Sequence, residues 1–357
     1  MDTESKISII KSFAQEIINE NELRALFDSK SHPVAYDGFE PSGRLHIAQG
    51  LVRAINVNKM TSTGCKFKIL LADWHAWANN KMGGDLDKIQ TMGKYFIEVW
   101  GQCGMDLDNV EFVWVSDFMH NDDYLKRLMQ IARNTTVKRI IKSSQIMGRS
   151  ESDSLQTSQI FYPVMQMSDI YQLGVDICQL GMDQRKVNML AREIGPKIGL
   201  YAPIAVHHPM LMGLGQPPAG EKTVERAIEM KMSKSNPDTA IFMSDNEEEI
   251  IRKIRKAYCP EKVIVENPVL EYCKFIVFES AKSLKIERPA KFGGDVEFNS
   301  YIDLEKSFAA GDVHPVDLKN TVAVELNKLL KPVRDHFEKN KKAHELYELV
   351  KSYNVTK

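Results

Sequence analysis

The sequence predicts an α/β fold: a parallel sheet wound with crossover helices, followed by a mainly helical C-terminal part. Three features of the chain predict it. Apolar runs of strand length alternate with segments of helical period. A helix-rich stretch interrupts that alternation after the third run. Beyond about residue 240 the strand-like runs stop and helical patterns continue to the end.

Taken in order, residues 5 to 30 read as helix, because Ile9, Ile10, Phe13, Ile17 and Leu23 recur at roughly helical spacing. Val34 to Phe39 reads as a strand, closed by the turn residues Pro41, Ser42 and Gly43. A helix is expected from His46, with Ile47, Leu51, Val52 and Ile55 on one stripe. KFKILLAD is the second strand. Residues 85 to 101 form a helix with Ile89, Met92, Tyr95, Phe96 and Val99 facing inward, and VEFVWVSDF is the third strand. Residues 121 to 149 are helical and charged, and a long helix covers 157 to 173. VDICQL and APIAVHHPMLMG are the fourth and fifth strands, separated by the helix in GMDQRKVNMLAREIG. In SDNEEEIIRKIRK, Ser244 stands three residues before Glu247, which predicts a capping-box helix start. The boundary between the two parts is expected near residue 235.

Composition narrows the function classes. The 357 residues suggest two domains or three, with ordinary apolar content and a net charge of −1. Bulk charge therefore gives no support for a nucleic-acid partner, and any such surface must be a local patch. No run of 18 apolar residues suggests a membrane span, and the acidic start Met-Asp-Thr-Glu-Ser lacks an apolar signal core. The five cysteines (Cys65, Cys103, Cys178, Cys259 and Cys273) are scattered, and no pair has metal or redox spacing. They suit a reduced, cytoplasmic setting.

Four stretches carry chemistry. The pentapeptide KMSKS, Lys231 to Ser235, holds two lysines and two hydroxyls just after a Gly/Pro-rich run at 213 to 221. That inventory suits a polyphosphate; a solvated surface loop is the plainer reading. The first strand–helix turn is the candidate nucleotide site. Gly38 and Gly43 permit close backbone approach. His46 and Gln49 stand where a helix start favours an anion. Neither GxGxxG nor GxxxxGK[ST] is present. Third, Tyr162, Gln166 and Asp169 fall at i, i+4 and i+7, on one helix face that also carries Met165. Polar groups on an inward stripe need partners, supplied either by a structural hydrogen-bond network or by a small zwitterionic ligand. Fourth, in GMDQRK, Gly181 and Asp183 can meet a ribose, and Gln184 can point back toward the helix of Tyr162. Aspartate after a strand often only caps the next helix.

With these residues in view, the chain resembles the class I aminoacyl-tRNA synthetases. KMSKS matches the second signature of that class letter for letter. The first signature, HIGH, stands here as His46-Ile47-Ala48-Gln49. Within the class, YDGFEPSG, YPVMQMSDI, LGVDICQLGMDQRK, RPAKFGGD and HPVDLKN resemble the tyrosyl enzymes of archaeal and eukaryotic type, over nearly the whole chain.

The resemblance implies a Rossmann-like catalytic domain over residues 1–235, with a helical insertion at about 115–160, and a helical anticodon-binding domain over 236–357. It implies that Tyr36 and Asp169 hold the tyrosine hydroxyl, and that Tyr162, Gln166 and Gln184 hold its α-amino group. ATP would lie against Gly38, Phe39, Gly43, His46, Gly181 and Asp183, with Lys231, Ser233 and Lys234 closing over the triphosphate. His46, Gln49, Lys231 and Lys234 would be the catalytic set, and Mg²⁺ would arrive with ATP; no bound organic cofactor is implied. Arg139, Lys142 and Arg185 would meet the tRNA acceptor end, in a patch that also holds Arg133, Lys138 and Arg149. Phe292, His314 and Asp317 would read the anticodon. Without the resemblance, Asp317 reads as a plain helix N-cap. A homodimer through the insertion is also expected, from Met119, Met129, Ile131, Ile140, Ile141, Ile146 and Met147. The rival readings are a tryptophanyl enzyme, which the Tyr36/Asp169 pair argues against, a non-catalytic tRNA-binding paralogue, and a small-molecule adenylating ligase.

Overall fold

The computed structural model of the chain describes residues 1–147, 154–220, 226, 230–232 and 237–353. At its centre is a six-stranded sheet in the order β1-β6-β5-β2-β3-β4. The strands are β1 Glu16–Ile18, β2 Val34–Phe39, β3 Lys66–Leu71, β4 Val110–Trp114, β5 Ile177–Gly181 and β6 Ile204–His208. Every pairing is parallel except that of β1 with β6 at one edge. Strand order reverses at β2, which pairs with β3 on one side and β5 on the other. The β2–β5 pairing covers only Ala35↔Ile177 and Tyr36↔Cys178. Past it the two strands run on to Gly38-Phe39 and to Gly181. Such a switch point, at the carboxyl ends of parallel strands, is where open α/β sheets bind ligands.

All five strands expected from apolar runs are present. The helix expected over 5 to 30 is not continuous. The chain forms the helix Thr3–Lys11, turns, and pairs Glu16–Ile18 with β6. It re-enters helix at Asn19, whose φ of 61° and side-chain cap open the helix Glu20–Ser29. A three-residue edge strand is too short to impose its own period, so the helical spacing of Ile9, Ile10, Phe13 and Ile17 hid it.

The turn after β2 also differs. Instead of starting a helix, His46 pairs in a β-bridge with Phe242, flanked by Ile47 N–H to Ile241 C=O at 2.9 Å and Met243 N–H to Leu45 C=O at 2.9 Å. A π-helical turn, Ala48–Val52, follows and leads into the helix Arg53–Ser62. Gly50 lies in that turn because Met243 crosses it; an added Cβ would meet the Met243 Sδ at 2.4 Å.

Alternation along the strands sends side chains to two cores. Ala35, Phe67, Ile69, Leu71 and Ile177 face one core, shared with the N-terminal helices and the C-terminal helices. Tyr36, Leu70, Cys178 and Leu180 face the other, covered by the helices Asp122–Arg133, Val137–Lys142 and Thr157–Gln172. The first core continues past residue 235. Tyr95, on the helix Leu86–Gly101, lies 5.4 Å from Phe337 and 6.1 Å from Tyr347, ring to ring.

In the C-terminal part the helix Glu247–Lys256 is capped by Asn246, with Glu249 completing the box, not by Ser244 with Glu247. Asn246 accepts from the Glu249 N–H at 2.8 Å, a spacing that satisfies the same orphan donors two residues further on. The mainly helical C-terminal part also holds a small antiparallel hairpin, β7 Leu284–Ile286 with β8 Val296–Phe298. Likewise Asp317 is not an N-cap. His314 caps the helix Pro315–Lys339 through Nδ1, and Asp317 sits in its first turn.

Candidate active site

The helix Thr157–Gln172 brings its polar stripe into the interior. Tyr162, Gln166 and Asp169 are all buried, Asp169 completely so. Gln166 Nε2 donates to Gln184 Oε1 at 3.1 Å, so Gln184 does reach back from the turn after β5. Asp169 Oδ1 accepts from the Tyr124 hydroxyl at 2.8 Å. Its Oδ2 lies 3.1 Å from His75 Nε2, a close approach without hydrogen-bond alignment. His75 in turn meets the Tyr162 ring edge-on at 4.7 Å.

Tyr36 enters this group from β2. Its ring is 1% exposed, and its hydroxyl completes no aligned hydrogen bond among the described residues. Burial holds its proton on well above the ordinary phenol range; Cys178, Asp169 and Asp37 reinforce this, while the nearby Gln166 amide opposes it. Tyr162 is held up in the same direction, first by burial and then by Glu40. In this group two buried polar atoms, Tyr36 Oη and Asp169 Oδ2, are each left without an aligned hydrogen bond among the described residues.

Next to this group, at the switch point, lies the second half of the candidate site. Gly43 has φ 81°, which its turn requires. Gly38 is different: an added Cβ would make only ordinary contact with Leu70 at 3.8 Å. Nothing in the fold demands a bare backbone there. Phe39 packs on Trp100 at 5.0 Å. Gln49 Oε1 is buried without an aligned partner among the described residues. At the end of β5, Asp183 Oδ2 pairs with Lys231 Nζ at 3.0 Å. The first lysine of the pentapeptide therefore stands over the strand ends. Ser233 and Lys234, like Arg149, lie outside the described residues.

Beside these residues runs a buried ion network. Asp37 Oδ2 meets Arg53 Nη2 at 2.8 Å, and Arg53 also bonds the Gln179 side chain and the His208 ring. Burial pushes the Asp37 carboxyl up to about 6 even against the pull of Arg53.

The positively charged candidates lie elsewhere. Arg139 is engaged by Glu193, whose carboxyl it and Lys197 hold down at about 2. Lys142 is exposed. Arg185 pairs with Glu16 at 2.9 Å. Phe292 ends the turn Ala290–Phe292, and His314 and Asp317 open the long C-terminal helix, in the C-terminal part and apart from the pocket residues in sequence and element.

The family model of class I tRNA synthetases for tryptophan and tyrosine matches residues 28–331. The cytoplasmic tyrosine–tRNA ligase 1 of Arabidopsis thaliana is 49% identical over 100% of this chain and 90% of its own length. The solved tyrosyl-tRNA synthetase of Pyrococcus horikoshii, complexed with L-tyrosine, superposes with a TM-score of 0.90 at 37% identity, over 98% of this chain and 100% of that one. The chain belongs to the tyrosyl-tRNA synthetases. The Leishmania major tyrosyl-tRNA synthetase bound to tyrosinol gives a TM-score of 0.90 at 44% identity over 99% of this chain, which spans 53% of that longer one.

The sequence reading missed the neighbours of Asp169. Tyr124 and His75 come from two other helices, and no local spacing links them to it. Arg53 was missed as well. A lone arginine on an otherwise apolar helix start, followed by Asn56, was the available signal.

Proposed function

We propose that the pocket between β2 and the helix Thr157–Gln172 selects tyrosine by its hydroxyl, and that the strand ends beside it hold ATP. As a member of its family the chain is an ATP-dependent ligase that joins tyrosine to tRNA. The observation that carries the residue assignment is the pair of buried atoms, Tyr36 Oη and Asp169 Oδ2, that complete no aligned hydrogen bond among the described residues. A phenol O–H donates to a carboxylate and accepts from a second hydroxyl, so tyrosine satisfies both. An indole N–H donates only, and would leave the Tyr36 hydroxyl unpaired. The ammonium group would then fall to Tyr162, Gln166 and Gln184.

In this reading the tyrosine carboxylate attacks the α-phosphorus of ATP. The bond to the bridging oxygen breaks, and pyrophosphate leaves with its Mg²⁺. The ribose hydroxyl at the tRNA 3′ end then attacks the acyl carbonyl, and AMP departs. No side-chain nucleophile is needed; positioning and charge stabilisation carry the rate. Gly38, Phe39, Gly43, His46, Gln49, Gly181 and Asp183 would line the nucleotide, with Lys231, Ser233 and Lys234 acting on the phosphates.

For tRNA, Arg139, Lys142 and Arg185 are the acceptor-end candidates, and the first and last would exchange Glu193 and Glu16 for phosphate. Phe292, His314 and Asp317 are the anticodon candidates, suited to stacking and to a purine edge. A second copy of the chain is the proposed partner at the insertion. There Ile131, Ile140, Ile146 and Met147 are buried in their own core, but Leu125, Met129, Val137 and Phe161 are 42–58% exposed. No helix among the described residues is long and apolar enough to cross a membrane, and a cytoplasmic setting is proposed. The deciding experiment is ATP–pyrophosphate exchange with each of the twenty amino acids. Tyrosine alone should support it; exchange with tryptophan in its place overturns the pocket assignment.

A further inference from the structure

Both signature segments are held from the C-terminal part of the chain, and one contact is built around the backbone of a single residue. Met212 and Lys231 form an antiparallel bridge, with Gly213 N–H to Met230 C=O at 2.7 Å on one side and Met232 N–H to Leu211 C=O at 3.4 Å on the other. In such a pair the N–H and C=O of Met212 itself point away from its partner. They point to two consecutive residues of the short helix Pro268–Tyr272. The Met212 N–H donates to Glu271 Oε2 at 3.0 Å, and its carbonyl accepts from the Tyr272 hydroxyl at 3.1 Å. Tyr272 is fully buried. A second tie lies six residues from the first: Arg226 Nη2 meets Glu266 Oε2 at 2.8 Å and also bonds the Pro218 carbonyl.

We propose that Glu271 and Tyr272 are positioning residues for adenylate formation: they fix the Met212 strand, and through it the register at which Lys231 is presented to ATP. This rests on the reading that the Lys231 segment serves the phosphates. A half-buried carboxylate and a fully buried phenol on the backbone of one residue exceed what a plain domain contact requires. Burial pushes the Glu271 carboxyl up to about 7, so the fold accepts a cost to keep it there. If Met212 slips, the bridge carries Lys231 with it, away from Asp183 and the end of β5. Among the described residues the proposed tyrosine site shares no hydrogen bond with this clamp, so its affinity should be untouched.

The test is ATP–pyrophosphate exchange by the full chain with Glu271→Ala, Glu271→Gln and Tyr272→Phe. Glu271→Ala should lose roughly ten- to a hundredfold in kcat/KM for ATP, the scale of one hydrogen bond to a charged acceptor, with KM for tyrosine unchanged. Glu271→Gln keeps an acceptor for the Met212 N–H and should recover to within about threefold of wild type. Tyr272→Phe should fall between them. The proposal is overturned if Glu271→Ala retains wild-type exchange, if KM for tyrosine rises in step with that for ATP, or if Glu271→Gln is as impaired as Glu271→Ala. Wild-type protein without tyrosine-dependent exchange would instead overturn the functional reading itself.

Discussion

Tyr124 donates a 2.8 Å hydrogen bond to Oδ1 of the fully buried Asp169. The bond fixes the carboxylate plane and engages one oxygen; the other, 3.1 Å from His75 Nε2 without an aligned bond, is the acceptor proposed for a ligand hydroxyl. Asp169→Ala should therefore lose about 2–4 kcal/mol of tyrosine activation, since a hydrogen bond to a charged, desolvated group disappears. Rejection of phenylalanine should shrink with it. Tyr124→Phe leaves Asp169 in place but free to turn; it should cost about tenfold in kcat/KM for tyrosine and leave KM for ATP unchanged. Unaltered tyrosine kinetics in both variants would remove Asp169 from the pocket.

Gly38 gives a separate test of the nucleotide half. Its φ is ordinary, and a methyl group there would touch only Leu70 at 3.8 Å. Gly38→Ala should therefore fold with a Tm within a few degrees of wild type, yet raise KM for ATP at least about tenfold if the bare backbone is there for the nucleotide. A variant that binds ATP normally would show that no ligand approaches Gly38.

The Asp37–Arg53 pair predicts a pH dependence of stability. The folded Asp37 carboxyl sits at about 6, against an ordinary value of 3.8. Between those values the folded chain holds more of its proton than the unfolded chain does. Stability from this group is therefore full below about pH 4 and declines as pH rises to about 6. Relative to Asp37→Asn, the wild-type unfolding free energy should fall by up to about 3 kcal/mol across that window. Urea titrations at intervals of half a pH unit measure it. A difference that is flat or rises with pH would mean that Arg53, rather than burial, governs the carboxyl.

What was legible in the sequence was local. Tyr162, Gln166 and Asp169 could be found together because helical spacing alone puts them on one face. The five parallel strands announced themselves as apolar runs. Contacts that depend on tertiary closure were not legible. Tyr124 meets Asp169 across 45 residues, and His75 arrives from a third helix. The β1 strand was lost because three residues at a sheet edge carry too little pattern to compete with flanking helices. Asn246 performs the capping role expected of Ser244, and His314 the one that Asp317 suggests when read without the resemblance. Several polar residues near a helix start compete for the same orphan N–H groups, and backbone geometry, not residue type, decides between them.

Asp245 and Lys253 form the other buried tie to the active site. Lys253 Nζ lies 2.5 Å from Asp245 Oδ2 and 2.9 Å from the Ala240 carbonyl, with both side chains almost wholly buried. The same carboxylate accepts from the Phe242 N–H at 2.9 Å, and Arg44 stands 3.7 Å from its other oxygen. Phe242 is the residue bridged to His46, so the pair holds the segment on which the first signature rests. Lys253→Met removes the close partner and leaves the buried Asp245 with the half-exposed Arg44 at 3.7 Å and the Phe242 N–H. It should cost about 3–5 kcal/mol in urea unfolding, because an uncompensated buried charge remains. Asp245→Asn together with Lys253→Met removes both charges while Asn still accepts from Phe242. The double variant should regain at least about half of that loss, since replacing a buried pair costs far less than breaking it. Below its melting transition the single variant should also raise KM for ATP without changing KM for tyrosine. A loss under about 1 kcal/mol in the single variant, the range of an exposed ion pair, would mean that Arg44 already balances Asp245 and that the Lys253 tie does not hold the turn.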